Sequence, residues 1–165
     1  MKDWQIQPFS KQIDRKGFDC GVEPLNRYFQ TQASQEVKRK VCAIYTAVEK
    51  QSDEVGGFYT LSATSAQLKK IPESIQKKLP CYPEIPAFLI GRLAVSVICQ
   101  GEGLGKFLLI DALVRSLHLS SEIGASLVLV DAKEESAARF YQKFEFQILD
   151  ENRLFLPMTT ISKLG

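Results

Sequence analysis

The chain reads as a mixed α/β protein, and three observations predict it. Runs rich in strand formers dominate the first part, at 41–49 and 55–66. A strand–turn–helix unit follows: apolar Phe88–Val97, the turn Gln100-Gly-Glu-Gly-Leu-Gly-Lys106, then helix-like Phe107–Leu117. After it, Ser126-Leu-Val-Leu-Val-Asp-Ala132 is an apolar run suited to the interior of a sheet. Strands first and β-α-β second make a mixed sheet.

The elements can be taken in order. Residues 4–9 read as a short first strand. Asp19-Cys-Gly-Val-Glu-Pro24 is a loop entering a helix, with Pro24 suited to the first turn. Leu25, Tyr28, Phe29 and Gln32 follow at helical spacing. The strands at 41–49 and 55–66 form an antiparallel hairpin around Gln51–Glu54. Residues 72–79 make a short helix closed by Pro80, and Pro80, Pro83 and Pro86 mark an irregular stretch. A strand at 87–97, the glycine turn and a helix over about 104–119 come next. The strand at 126–132 precedes a short helix from Glu134 to Lys143. Residues 146–149 and 153–161 close the chain as strands.

Composition narrows the class. A chain of 165 residues fits one domain, 1–165, with a substantial core. Its 45% hydrophobic and 24% charged residues are ordinary for a soluble globular protein. No apolar run approaches a membrane span, and the polar start Met-Lys-Asp-Trp-Gln lacks a signal-peptide apolar region, so a cytoplasmic location is expected. Cys20, Cys42, Cys81 and Cys99 are scattered with no C-x-x-C pair, which argues against zinc and against a disulfide framework. Buried free thiols are the plain reading, with Cys99 beside the glycine turn as a weaker nucleophile candidate. The single histidine, His118, excludes a His-rich metal site and reads as a helix-surface or partly buried residue. No metal is expected. Charge is uneven: residues 1–80 carry 13 Lys and Arg against 9 Asp and Glu, and residues 81–165 carry 8 against 10. Lys38-Arg39-Lys40, Lys69-Lys70 and Lys77-Lys78 are solvated surface on one reading and a polyanion-binding face on the other.

The glycine turn carries the functional signal. Glycines between strand and helix let backbone N–H groups approach a ligand, and the helix start adds unpaired N–H groups and partial positive charge. The expected ligand carries phosphate. A P-loop needs Gly-Lys-Ser/Thr, but Gly105-Lys106 is followed by Phe107. A dinucleotide fingerprint needs glycine at its sixth place, where Lys106 stands.

The spacing present is Gln-x-x-Gly-x-Gly, at Gln100, Gly103 and Gly105. It resembles the pyrophosphate loop of the GCN5-related N-acetyltransferases, which use acetyl-CoA. Asp19-Cys-Gly21 with Leu25-Asn26, then Gly91-Arg-Leu-Ala-Val95, then Ala138-Arg-Phe-Tyr-Gln-Lys-Phe-Glu-Phe146 look like the acetyltransferase toxins of type II toxin–antitoxin modules. The resemblance spans nearly the whole chain. It implies a central mixed, mostly antiparallel twisted sheet flanked by helices. It implies that Gln100, Gly101, Glu102, Gly103, Leu104, Gly105 and Lys106 cradle the CoA pyrophosphate. Leu93, Ala94 and Val95 would offer backbone groups to the pantetheine arm and thioester. Tyr141 matches the family's catalytic tyrosine, although a core aromatic beside Phe140 and Phe144 is the other reading. Two departures stand out: Glu145 where Gly is common, and Ser96 where Asp is common.

By the same resemblance, the acceptor is the α-amine of an aminoacyl-tRNA, acetylation blocks translation, and the partner is a ribbon-helix-helix antitoxin. A homodimer is expected as well. The chemistry is consistent. A tyrosine with a reference pKa of ~10 is protonated at pH 7 and can protonate a thiolate. An α-amine near ~8 is partly neutral at that pH, so no strong base is required. Lys38, Arg39, Lys40 and Arg92 are the candidates for tRNA contact, Arg92 being equally readable as a structural ion-pair residue. Two other readings remain open: a housekeeping acetyltransferase of a protein N-terminus or small amine, and a non-catalytic acyl-CoA-binding module.

Overall fold

The computed structural model describes residues 2–164. In order along the chain come β1 (Trp4–Pro8), α1 (Glu23–Arg27), a π-helical turn (Tyr28–Gln32) and α2 (Ala33–Lys38). Strands β2 (Ala43–Glu49) and β3 (Val55–Gln67) follow, then a 3-10 turn at Leu68–Lys70, α3 (Glu73–Gln76) and β4 (Glu84–Val95). A second 3-10 turn at Val97–Cys99 leads to α4 (Leu104–Ser120), β5 (Leu127–Asp131) and α5 (Glu135–Gln142). The chain closes with β6 (Gln147–Asp150), β7 (Arg153–Pro157) and α6 (Met158–Leu164).

The strands are hydrogen-bonded in the order β1-β2-β3-β4-β5-β7-β6. Pairs β1–β2, β2–β3, β5–β7 and β6–β7 are antiparallel, and β4–β5 is parallel. The expected mixed, mostly antiparallel sheet with flanking helices is therefore present. By internal contacts the chain divides into two compact units, Met1–Ser62 with Arg92–Ala112, and Ala63–Gly91 with Leu113–Gly165.

In the first unit, the hairpin forms as the strand propensities predict. Glu49 closes its turn by accepting the N–H groups of Gln51 and Ser52. The unit's core gathers Phe18, Cys20, Tyr28, Phe29, Ala33, Ile44, Val48, Val55, Phe58 and Ala94. Phe29 stacks on Phe58 with centroids 4.3 Å apart, a pair worth about 0.5–1.5 kcal/mol beyond its burial. The helix predicted from Pro24 is interrupted by the π-helical turn, where the Ala33 N–H reaches the Tyr28 carbonyl five residues back. The Phe29 carbonyl accepts Arg15 Nη1 at 2.9 Å.

In the second unit, Ala66, Ile71, Ile85, Ala87, Leu127, Leu129 and Phe155 form the core. β4 begins at Glu84, earlier than the expected 87, and includes Pro86. Proline lacks a donor but keeps its carbonyl, which accepts the Ser126 N–H at 2.9 Å. The strand expected over 153–161 ends at Pro157, and Met158–Leu164 is helical instead. Pro157 pairs with Leu127, the first residue of β5, so the strand partner is exhausted there. Met158 and Ile161, three apart, are buried on one helical face. Local β propensity in Thr159-Thr160-Ile161 yields to that packing.

Candidate active site

The first unit holds the glycine turn. Gly101 and Gly103 sit at φ 85° and 83°, left-handed conformations that an L side chain rarely adopts. A Cβ at either position would meet nothing within 4 Å, so backbone conformation and not space requires glycine there. The Phe107 N–H bonds to the Gly103 carbonyl at 3.0 Å and closes the first turn of α4. The N–H groups of Leu104, Gly105 and Lys106 precede that bond and lack intrahelical acceptors. Leu104 is buried as the anchor of the turn, Gly105 is half-buried, and Gly101, Glu102, Gly103 and Lys106 are exposed. Unpaired N–H groups at a helix start, approached past exposed glycines, suit a pyrophosphate.

Gln100 behaves differently from its neighbours. Its side-chain amide donates to the Val95 carbonyl at 3.0 Å and to the Cys20 carbonyl at 3.1 Å. It pins the turn to the end of β4 and to the Asp19–Gly21 loop. That loop is braced in turn. Asp19 Oδ1 accepts Gly21 N–H and Asn26 Nδ2, each at 2.9 Å, and Asn26 Oδ1 accepts Cys20 N–H at 2.8 Å. The Asp19 carbonyl accepts Val97 N–H at 2.8 Å. The Gly21 and Asn26 bonds hold the Asp19 carboxyl below its usual pKa. From the sequence, Asp19-Cys-Gly reads as a loop entering a helix and, with Asn26, as part of a resemblance; their physical task is to hold Gln100. An Asx-type donor and acceptor pair seven residues apart was the available signal.

At the end of β4, Ala94 is buried in the core while Leu93 and Val95 are half-buried. Ser96, where the resemblance expects Asp, is buried, and its N–H donates to the Gly56 carbonyl at 2.8 Å. Arg92 is half-buried, with its guanidinium 3.6 Å from the centroid of the Tyr28 ring. The ion-pair reading of Arg92 gives way to a cation–π contact. Lys38, Arg39 and Lys40 are exposed at the C-terminal end of α2, with Lys40 at φ 62°. Cations at that helix end are also favoured by the helix dipole.

The second unit holds Tyr141, on α5 and 4% exposed. Its ring lies 5.3 Å from Phe140 and 5.5 Å from Phe146, centroid to centroid. Burial, and then the charge of Asp131, push its phenol well above the usual tyrosine pKa. The group is therefore a neutral acid across physiological pH. Asp131 is itself held by Arg153 at 2.8 Å. Among the described residues the Tyr141 hydroxyl makes no hydrogen bond, so its donor is not consumed by the fold. Directly after α5, Glu145 takes φ 73° and donates its N–H to the Gln142 carbonyl. This is the left-handed position that ends many helices, which explains why Gly is common there.

Cys99 is fully buried, and burial raises its thiol pKa, which disfavours the thiolate a nucleophile requires. Cys20 is buried too, but Cys42 is half-buried and Cys81 exposed, so the buried-thiol reading holds for only half of them. His118 is exposed, as expected for a helix surface. Among the described residues no cluster of His, Cys, Asp or Glu is arranged to hold a metal ion, and no helix is long and apolar enough to cross a membrane.

No family model matches the chain. It is 31% identical over 160 residues, covering 92% of this chain and 88% of the relative, to a probable toxin TacT of Sinorhizobium fredii. It is 36% identical over 102 residues to a tRNA-acetylating toxin of Mycobacterium tuberculosis, covering 62% of this chain and 60% of that one. AtaT complexed with acetyl-methionyl-tRNAfMet has a similar structure, with TM-score 0.91, 31% identity, and 98% and 99% of the two chains covered. So does a mutant AtaT toxin bound to the C-terminus of the antitoxin AtaR and acetyl-CoA, with TM-score 0.83, 27% identity and 98% of each chain. The chain belongs to the GCN5-related N-acetyltransferases, in the branch of toxins from type II toxin–antitoxin modules.

Proposed function

We propose that residues 1–165 act as one acetyltransferase domain, a toxin that moves an acetyl group from acetyl-CoA to the α-amine of aminoacyl-tRNA and so blocks translation. The observation that carries this reading is the glycine turn. Two left-handed glycines and an open helix start are braced by Gln100, and AtaT, of similar structure, is known with acetyl-CoA and with acetyl-methionyl-tRNAfMet.

The N–H groups of the turn Gln100–Lys106, with the Lys106 ammonium, receive the pyrophosphate. Leu93, Ala94 and Val95 align the pantetheine arm with their backbone groups. The neutral α-amine attacks the thioester carbonyl, the carbon–sulfur bond breaks, and the departing thiolate takes a proton from the Tyr141 hydroxyl. Tyr141 regains a proton from solvent, and the amide nitrogen loses one to it. Lys38, Arg39, Lys40 and Arg92 supply positive charge to the tRNA backbone. The reaction takes place in the cytoplasm. The neutralising partner is an antitoxin of the ribbon-helix-helix type, and the toxin itself is a homodimer.

Transfer of radioactive acetyl from acetyl-CoA into a pool of charged tRNA, with deacylated tRNA as control, tests the reading. Label on charged tRNA alone is expected. Absence of label on RNA, from protein that still binds acetyl-CoA, would move the acceptor to a protein or small amine. Binding without any turnover would leave a non-catalytic module.

A further inference from the structure

Tyr28 opens the π-helical turn, and that turn has a geometric consequence. In a regular α-helix, residues eight apart are rotated by about 80°, but residues seven apart by only about 20°. One extra residue in the turn gives Tyr28 and Glu36 the smaller offset. They meet accordingly: the Tyr28 hydroxyl donates to Glu36 Oε1 at 2.8 Å and lies 3.4 Å from the Cys42 sulfur. The ring is 3% exposed and packs parallel to Phe58 at 6.3 Å. It is a fixed plane, held at its edge by the hydroxyl and by the core behind it.

The Arg92 guanidinium lies over that plane. The Arg92 backbone is fixed as well, its N–H donating to Thr60 Oγ1 at 3.0 Å. Among the described residues the guanidinium makes no hydrogen bond and no ion pair. A guanidinium carries its five N–H donors in its own plane, so a ring against one face leaves every donor available at the edge. An arginine that served only the fold would be expected to spend those donors on carboxylates or carbonyls. The geometry points to Arg92 as the residue that takes one phosphodiester of the tRNA acceptor end in a two-pronged contact, with Tyr28 as its positioning platform. This rests on the reading of the chain as an aminoacyl-tRNA acetyltransferase. Arg92 immediately precedes Leu93–Val95, so a phosphate held there sets the acceptor end beside the strand that carries the thioester.

A phosphate contact could come from tRNA or from CoA, and the test separates them. For the full chain, kcat and KM for charged tRNA are measured between about 50 and 200 mM salt, with the acetyl-CoA Kd by calorimetry. Arg92→Ala is expected to raise KM for charged tRNA roughly tenfold, lower the salt slope by about one and leave the acetyl-CoA Kd within about twofold. Arg92→Lys keeps the slope but not the KM, because an ammonium is a point charge. Tyr28→Leu keeps the slope and reproduces the KM rise, whereas Tyr28→Phe, which retains the ring but loses the bond to Glu36, keeps the slope with a smaller KM rise. Should Tyr28→Leu fail to fold, the two Arg92 variants decide alone. Unchanged KM and slope in Arg92→Ala, from a protein whose wild type acetylates charged tRNA, would overturn the inference and leave the proposed function intact. A weakened acetyl-CoA Kd would overturn it in favour of CoA. Wild-type protein that labels no charged tRNA would remove both.

Discussion

The glycine turn and the tyrosine helix are built on opposite principles. Around Gln100–Lys106, shape comes from backbone conformation and a polar brace: two left-handed glycines, then a relay from Asp19 and Asn26 through Cys20 to the Gln100 amide. Around Tyr141, shape comes from packing, with aromatic rings on the side chain and a nearly complete loss of solvent. Under the proposed function, the first region would offer a charged group donors fixed by hydrogen bonds, and the second would hold a neutral phenol where burial raises its pKa further. The two regions should therefore fail in different ways.

The largest effect is expected at Tyr141. Tyr141→Phe should lower kcat by about 10²–10⁴-fold, typical of a lost general acid, with the melting temperature nearly unchanged because no internal hydrogen bond is lost. A variant with wild-type kcat in the acetyl-transfer assay would end the catalytic assignment. Because burial raises the phenol's pKa, activity should be lost only as pH rises through that raised value, above the ordinary ~10. The rise of kcat/KM toward about pH 8 should instead follow the substrate α-amine.

Next come the glycines. Gly103→Val should raise the acetyl-CoA KM most, Gly103→Ala by roughly tenfold, and Gly103→Asn least, following the cost of φ near 83° for each side chain. An order that follows side-chain size, with Asn as damaging as Val and Ala mildest, would point to crowding by ligand in place of backbone strain. The brace ranks third. Asn26 is buried, so Asn26→Ala should cost about 1–3 kcal/mol of stability and raise the acetyl-CoA KM, both readable from denaturant titration and steady-state kinetics. A loss of stability with an unchanged KM would separate the brace from the cradle. Smallest is Glu145→Gly, which relieves a left-handed non-glycine residue and should raise stability by a few tenths to about 1 kcal/mol with kcat unaffected. A drop in melting temperature would show that the Glu145 side chain contributes more than its backbone costs.

By itself, the sequence determined the existence of the strand at Leu127–Asp131, a short apolar run, and of the helix at Leu104–Ser120, a longer apolar-rich run that follows the glycine turn. It also determined the turn at Gly101 and Gly103, because positive φ leaves a signature in residue type. The place of Tyr141 beside Phe140 was legible too, but its second ring partner is Phe146 where the sequence suggested Phe144. Tertiary structure decided what depends on distant partners. The end of β7 at Pro157 was set by where β5 begins, against the local preference of Thr159-Thr160-Ile161. The partners of Gln100 lie 5 and 80 residues away, and the ring under the Arg92 guanidinium stands on a helix whose π turn no periodicity announces. Local propensity acts over a few residues, whereas hydrogen-bond partners, ring stacking and desolvation are chosen only once the chain has closed on itself.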